Sequence, residues 1–147
     1  MSIQALVTEF HVAAGQPVGN IYDTLFEKPG TLLRGDEETD KRLDMRVDLV
    51  LEEADELSRD AHERNLEGIV DALADIVYVC YGFAVELGVD LDDILREVHR
   101  SNMTKVAGEV QYNEAGKVLK PETYEPPSIY ERLLEQAKAI GAQGRLF

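Results

Sequence analysis

The sequence lacks paired cysteines, an excess of basic residues and a long apolar run. Cys80 alone cannot form an internal disulfide or a cysteine-rich zinc site, and its apolar neighbours Val79 and Tyr81 favour a packing role over a nucleophilic one. No apolar run approaches the about 18 residues of a membrane span, and no basic segment followed by an apolar one resembles a signal peptide. We therefore expect a cytoplasmic protein that does not enter a membrane.

Basic residues are few, because 15 lysines and arginines accompany 29 acidic residues and give a net charge of −14. This charge would repel the phosphates of DNA and RNA, so we expect no nucleic-acid partner. A small anionic ligand would need a cation beside it, although the acids can equally serve solubility alone. The length of 147 residues and the 44% hydrophobic content predict one folded domain over residues 1–147.

Helical periodicity dominates the chain and predicts an all-α fold, a helical bundle of about four core helices. These helices are expected at residues 3–14, 36–64, 66–87 and 90–103. Glycine, proline and polar residues recur without a period at 19–35, which we interpret as a loop. Residues 107–147 are expected to form a C-terminal arm, with a small hairpin within 109–120 and a short helix at 129–140.

The helix predicted at 36–64 has an acidic face beside its apolar one. Its expected core stripe consists of Leu43, Val47, Val50, Ala54, Leu57 and Ala61. Glu52, Glu53 and Glu56 share another face with Met45 and Leu49, so the acidic face is partly apolar and we expect something to cover it. Carboxylates one turn apart repel each other unless a cation neutralises them, and Mg²⁺ prefers such oxygen ligands. An ordinary acidic surface is the alternative.

The helix predicted at 66–87 is expected to be the most buried, because few charged residues interrupt it. Asp71, Asp75 and Glu86 form one narrow strip with Tyr78 and Gly82. A buried, unpaired carboxylate costs several kcal/mol, so these acids require either a metal ion or an arginine partner. The available arginines are Arg42, Arg46, Arg59 and Arg64. Gly82 indicates the close approach of a ligand or backbone, or tight helix packing.

These residues resemble a known family. The sequence EEADE at 52–56 fits the EExxE signature of the MazG-like all-alpha nucleoside triphosphate pyrophosphohydrolases, and Asp75 fits the aspartate of their ExxD motif. With VHRSNMTK at 98–105, the resemblance extends from Phe10 to Tyr124. The sequence looks like the branch of this family related to dimeric dUTPases and phosphoribosyl-ATP pyrophosphohydrolases.

One position departs from the family pattern. Ala72 stands where the ExxD motif has glutamate, and Asp71 precedes it. Asp71 either supplies the missing carboxylate from a shifted position, since it lies one turn from Asp75, or the site has lost a ligand.

The resemblance implies hydrolysis between the α and β phosphates of a nucleoside triphosphate. It implies Mg²⁺, with Mn²⁺ as a substitute, held by Glu52, Glu53, Glu56 and Asp75, and by Asp71 if that ligand is shifted. Either Glu53 or Glu56 would act as the catalytic base. The substrate-binding residues it implies, some with ordinary structural alternatives, are His11, Tyr78, Asn102, Lys105 and Lys120. Asn102 and Lys105 can instead cap the helix end and complement its dipole, Lys120 can be a solubilising charge, and His11 can be structural.

Three functional hypotheses follow. The first is a magnesium-dependent hydrolase of (deoxy)nucleoside triphosphates, with dUTP as a candidate substrate. The second keeps the chemistry but acts on phosphoribosyl-ATP in histidine biosynthesis. The third is a non-catalytic helical interaction protein in which Ala72 records the loss of the metal site. The second apolar arc at Met45 and Leu49 and the apolar helix 66–87 predict self-association. The family resemblance implies a homodimer or homotetramer.

Overall fold

The computed structural model describes residues 1–27 and 32–144, with side chains up to residue 141. Helices account for the regular structure of these residues, so the all-α prediction is confirmed. The six helices are α1 (Ile3–Ala14), α2 (Ile21–Phe26), α3 (Glu37–His62), α4 (Leu66–Leu87), α5 (Leu91–Thr104) and α6 (Ile129–Gly144).

Polar residues set the ends of the central helices. The Asp36 carboxylate accepts from the Thr39 N–H at 2.8 Å, and the Thr39 hydroxyl oxygen accepts from the Asp36 N–H at 3.2 Å. Together the two hydrogen bonds form a capping box at the start of α3. Asn65 caps α4, and Gly88 ends it with a φ of +78°. Because residues 63–65 alone separate α3 from α4, the two helices fold back as an antiparallel pair, which is the most extensive helix contact.

The predicted loop at 19–35 is wrong in part, because it contains α2. The Asn20 side chain accepts from the backbone N–H of Tyr22 at 2.8 Å and so begins this helix. The Tyr22 ring lies against Gly141 of α6 and 5.0 Å from the Phe26 ring centroid. A six-residue helix is not stable by itself, so contacts with a distant segment stabilise it. Residues 28–31 of the predicted loop lie outside the described residues.

The predicted hairpin is present as a turn rather than as two strands. Tyr112 and Val118 form a single antiparallel bridge. The Asn113 N–H donates to the Lys117 carbonyl at 2.9 Å, and Gly116 takes a φ of +83° in the turn. The last helix begins at Ile129 as predicted but continues to Gly144, beyond the expected residue 140.

Among the described helices, α4 contains the most buried residues, as predicted, but most of them lie in its C-terminal half. The C-terminal half is buried and joins Val7 of α1 in the apolar core through Tyr81 and Val85. In contrast, Val70 and Leu73 are 56% and 48% exposed.

Among the described residues, α4 is the one helix long and apolar enough to cross a membrane, although core helices of water-soluble proteins share this property. The sequence predicts no membrane-spanning helix, because no apolar run in it approaches about 18 residues.

The predicted core stripe of α3 is also wrong in part. Leu43, Val50 and Leu57 are half-buried, but the other three members are exposed: Val47, Ala54 and Ala61. The face of α3 that packs on α4 carries polar side chains instead, with Arg46 5% exposed and Glu53 half-buried. Arg46 pairs there with a buried glutamate of α4. Met45 and Leu49 are half-buried on the same side, so the apolar arc predicted at these two residues is covered by the chain itself.

Candidate metal centre

Three carboxylates converge where α3 and α4 meet. Glu53 and Glu56 lie one turn apart on α3, and Asp75 faces them from the antiparallel α4. One oxygen from each carboxylate lies within 4.8 Å of the others. Glu53 and Asp75 are half-buried, whereas Glu56 is exposed at the rim. Two helices therefore present three hard oxygen ligands to one point.

No cation of the described residues neutralises this cluster. None of the ion pairs within residues 1–27 and 32–141 involves Glu53, Glu56 or Asp75. The Glu53 Oε2 atom is buried and has no hydrogen-bond partner. Burial, followed by the charges of Glu56 and Asp75, raises the pKa of the Glu53 carboxyl. No ion pair within the described chain therefore compensates the negative charge of the cluster.

The arginines pair with the other end of the polar strip on α4. Glu86 is 3% exposed and forms ion pairs with Arg42 and Arg46 of α3. Burial alone would raise the pKa of Glu86, but the hydrogen bonds from Arg42 and Arg46 outweigh it and lower that pKa. Asp75 lies eleven residues before Glu86, about 16 Å along the helix axis. The arginine alternative therefore accounts for Glu86 and leaves Asp75 unpaired.

The three carboxylates fit a divalent cation. Magnesium binds oxygen ligands at about 2.0–2.1 Å, so ligands on opposite sides of the ion lie about 4.2 Å apart. The three carboxylate oxygens lie within 4.8 Å of one another, which is close to this separation. The unpartnered Oε2 of Glu53 supplies a buried ligand atom with no competing hydrogen bond.

The other two predicted ligands, Glu52 and Asp71, lie outside this group of three. Glu52 is exposed and lines a surface depression with Asp55, Arg59 and Glu56, which belongs to the group of three. Asp71 is also exposed, although its charge adds, after those of Glu56 and Asp75, to the raised pKa of Glu53. Asp71 is therefore within electrostatic reach of the cluster without being one of its converging ligands.

Ala72 occupies the interior position that the family motif assigns to glutamate. Its side chain is 2% exposed, whereas the side chain of Asp71 before it is exposed. A methyl group therefore fills the place of the motif carboxylate. Whether Asp71 replaces that ligand stays a prediction.

Gly82 makes room for two side chains rather than for a second backbone. A Cβ atom on Gly82 would lie 3.0 Å from Arg46 Nη1 and 3.2 Å from His11 Nε2. The Arg46 Nη2 atom is buried and has no hydrogen-bond partner. His11 is 2% exposed, and its Nδ1 atom lies 2.8 Å from the Pro17 carbonyl oxygen. This packing supports a structural role for His11 rather than a substrate-binding one. The Nε2 edge of its ring nevertheless faces the polar strip of α4 at Gly82.

Tyr78 lies between the carboxylates and Gly82 on the same strip of α4. It is 38% exposed, and its ring packs edge-on against Phe10 with the centroids 5.8 Å apart. Because Tyr78 follows Asp75 by one helical turn, an aromatic surface lies next to the carboxylates. Phe10 was not among the predicted site residues, although its position beside His11 in the sequence could have indicated it.

The predicted lysines form a separate group at the end of α5. Lys105 Nζ donates to Asn102 Oδ1 at 2.8 Å, so this amide holds the lysine. The ammoniums of Lys105 and Lys120 lie 5.6 and 5.0 Å from the ring centroid of Tyr124, a residue that the sequence did not single out. Since α5 packs mainly on α6 and α1, the structure brings these lysines together but does not pair them with the carboxylates.

Comparison with known proteins supports a nucleotide-related chemistry for this region. The sequence is 33% identical over 87 residues to the uncharacterized protein L479 of Acanthamoeba polyphaga mimivirus. The match covers 58% of this chain and 31% of the viral protein, so the chain spans about a third of the length of that relative. Residues 33–102, which include all three converging carboxylates, match the phosphoribosyl-ATP pyrophosphohydrolase family and support a nucleotide pyrophosphohydrolase type of activity.

Proposed function

We propose that this protein is a magnesium-dependent pyrophosphohydrolase that cleaves a nucleoside triphosphate into the monophosphate and pyrophosphate. One observation carries the proposal: the carboxylates of Glu53, Glu56 and Asp75 converge without a cationic partner, and Glu53 Oε2 is buried and unpaired. An uncompensated cluster of this kind is stabilised by a divalent ion. The family match over residues 33–102 supports the same type of chemistry.

The net charge of −14 makes a cation necessary for a triphosphate to approach these carboxylates. A bound magnesium ion supplies charge neutralisation for the phosphates and lowers the pKa of water. Glu53, Glu56 and Asp75 would hold that ion, with Mn²⁺ as a substitute. In its ionised form either Glu53 or Glu56 can accept the proton of the attacking water. Glu53 is the half-buried candidate and Glu56 the exposed one.

The remaining predicted residues are assigned to the substrate. Tyr78, beside Phe10, offers an aromatic surface for the base, and the Nε2 edge of His11 lies farther along the same strip. Lys105 and Lys120 offer ammoniums for the phosphates. The deoxynucleotide dUTP is the first candidate substrate. Phosphoribosyl-ATP is the second, favoured by the name of the matching family.

We also propose that the protein works as a homodimer or homotetramer in the cytoplasm. An apolar surface on α1 and α4 is open in the single chain, and its lining residues are Ile3, Leu6, Val70, Leu73, Ala74, Val77 and Tyr78. A contiguous exposed apolar surface of this kind marks an interaction site. Replacing Leu73 by Glu should lower the molar mass measured by light scattering, whereas an unchanged mass would remove this surface from the assembly.

Pyrophosphate release from a panel of nucleotides tests the proposal. The panel contains the common deoxynucleoside and nucleoside triphosphates, dUTP and phosphoribosyl-ATP, each with Mg²⁺, with Mn²⁺ and with a chelator. Turnover of a triphosphate that the chelator abolishes supports the leading function. Turnover of phosphoribosyl-ATP alone supports the second substrate. If no nucleotide is cleaved with either metal, the protein is a non-catalytic helical protein and Ala72 marks the lost ligand.

A further inference from the structure

Lys105 and Lys120 contact an aromatic ring rather than a carboxylate. Carboxylates are the partners of five arginines, Arg34, Arg42, Arg46, Arg100 and Arg132. Within the described residues, Arg59, Arg64 and Arg96 also form no ion pair. In the part of the chain that the structure describes, Lys105 and Lys120 have no carboxylate partner, although the sequence contains 29 acids. They contact only neutral groups, an amide and an aromatic ring. No ion pair of the described residues therefore involves either ammonium.

Both ammoniums lie over the same ring, that of Tyr124. Cation–π contacts occur about once per 70–80 residues, so two contacts in this chain are ordinary in number. Their meeting on one tyrosine is not, because both distances end at one ring centroid and the two ammoniums therefore lie no more than about 11 Å apart. The ring attracts each ammonium without neutralising it, which leaves both charges able to bind an anion.

The position of the Tyr124 ring is fixed by the end of α5. The Ser101 hydroxyl is 1% exposed, donates to the Glu125 carbonyl at 2.7 Å and lies 3.3 Å from the Tyr124 hydroxyl oxygen. The Glu125 N–H donates to the Thr104 hydroxyl at 2.9 Å, and the Tyr124 N–H donates to the Pro121 carbonyl at 3.0 Å. Residues 121–125 are thereby attached to the helix that carries Lys105, so the ring bridges the helix and the C-terminal arm.

We propose that Tyr124 is a positioning residue that holds Lys105 and Lys120 together as a two-ammonium site for the polyphosphate of the substrate. A free lysine loses much side-chain freedom when it binds a phosphate, and a lysine already held over a ring loses less. The identity of the polyphosphate as part of a nucleotide rests on the proposed function, whereas the role of the ring does not.

Three variants of the full chain separate the ring from other effects. Tyr124→Leu removes the ring, Tyr124→Phe keeps the ring but removes the hydroxyl, and Tyr130→Leu is the matched control, because Tyr130 is 61% exposed and holds no lysine. Inorganic tripolyphosphate without divalent metal is the probe, and its binding is followed through the NMR signals of ¹³C-labelled lysine side chains. We expect Tyr124→Leu to weaken binding by about tenfold, and the other two to stay within about twofold of the wild type.

Nucleotide turnover gives a second measurement. Tyr124→Leu should raise KM by about tenfold and change kcat by less than about threefold, because the lysines bind substrate and transition state alike. In the wild type, the ε-methylene protons of Lys105 and Lys120 should show upfield ring-current shifts that Tyr124→Phe preserves. This measurement on the wild type needs no variant that might fail to fold.

Several outcomes overturn the proposal. Tripolyphosphate affinity of Tyr124→Leu equal to that of Tyr130→Leu removes the ring from the site. Equal losses in Tyr124→Phe and Tyr124→Leu assign the effect to the hydroxyl instead. Unshifted lysine signals in the wild type show that the ring does not hold the ammoniums. If the wild type cleaves no nucleotide but the tripolyphosphate results are as expected, the proposed function fails and the role of Tyr124 stands.

Discussion

Replacing Asp75 by Asn should change stability in opposite directions with and without magnesium. Asp75 is one of three converging carboxylates that have no cationic partner in the described chain. Without the ion, the substitution removes a repelling charge at nearly constant shape, so the variant should be slightly more stable than the wild type. With the ion, the wild type gains binding free energy that the variant lacks.

The size of the magnesium effect follows from linkage between binding and folding. At a free magnesium concentration 100 times Kd, a single site adds about 2.7 kcal/mol to the free energy of unfolding. For a chain of this length, 1 kcal/mol corresponds to about 2–4 °C in Tm, so the wild-type Tm should rise by about 5–11 °C. The Tm of Asp75→Asn should rise by much less.

Thermal unfolding at fixed protein concentration, with magnesium or a chelator, measures both effects. Asp44→Asn is the matched control, since it makes the same chemical change at an exposed position of α3 outside the cluster. The control should respond to magnesium as the wild type does. An equal magnesium response in Asp75→Asn would refute the metal centre, and lower stability of that variant in chelator would show that Asp75 has a stabilising partner.

Three further predictions test other parts of the account. Glu86→Gln leaves the buried Arg46 without its carboxylate partner. The substitution should lower the free energy of unfolding, measured in urea, by about 3 kcal/mol and leave magnesium binding unchanged. A loss below about 1 kcal/mol would contradict this expectation. Hydrogen bonds from Arg100 and the Ser128 N–H lower the pKa of Glu97 from 4.5 to about 2, so the wild type should lose stability as the pH falls from 4.5 towards 2. Glu97→Gln should lack this part of the loss, and identical melting profiles from pH 5 to 2 would argue against it. Asp71→Asn should raise the magnesium concentration needed for half-maximal turnover if Asp71 is the shifted ligand, whereas unchanged magnesium dependence assigns Asp71 to structure.

The helix ends could be predicted from the sequence because their causes are local. Asp36 and Asn65 cap the helices that follow them, and Gly88 ends α4 in a left-handed conformation. The spacing of Glu53 and Glu56 likewise placed both carboxylates on one face of α3. The family resemblance predicts that Asp75 lies beside these two glutamates, and its carboxylate oxygen lies within 4.8 Å of theirs.

The orientation of α3 about its axis could not be predicted from periodicity. Apolar residues mark faces that are covered, but they do not distinguish a face covered by the same chain from one covered by a second copy. The decisive contact is the buried pair of Arg46 and Glu86, which joins residues 40 positions apart. Tyr124 was missed for the same reason, since its contact with Lys105 depends on how the arm returns to α5. The short helix α2 likewise depends on packing against α6.

The central claim is that the carboxylates between α3 and α4 carry the hydrolysis, and the most direct test is pyrophosphate release by Glu53→Gln. Glutamine keeps the shape of the side chain but cannot accept a proton or bind a divalent ion as a carboxylate does. With magnesium and the best substrate of the panel, we expect a loss in kcat of at least about 100-fold in a variant whose circular dichroism is unchanged. Turnover at the wild-type rate would contradict the account.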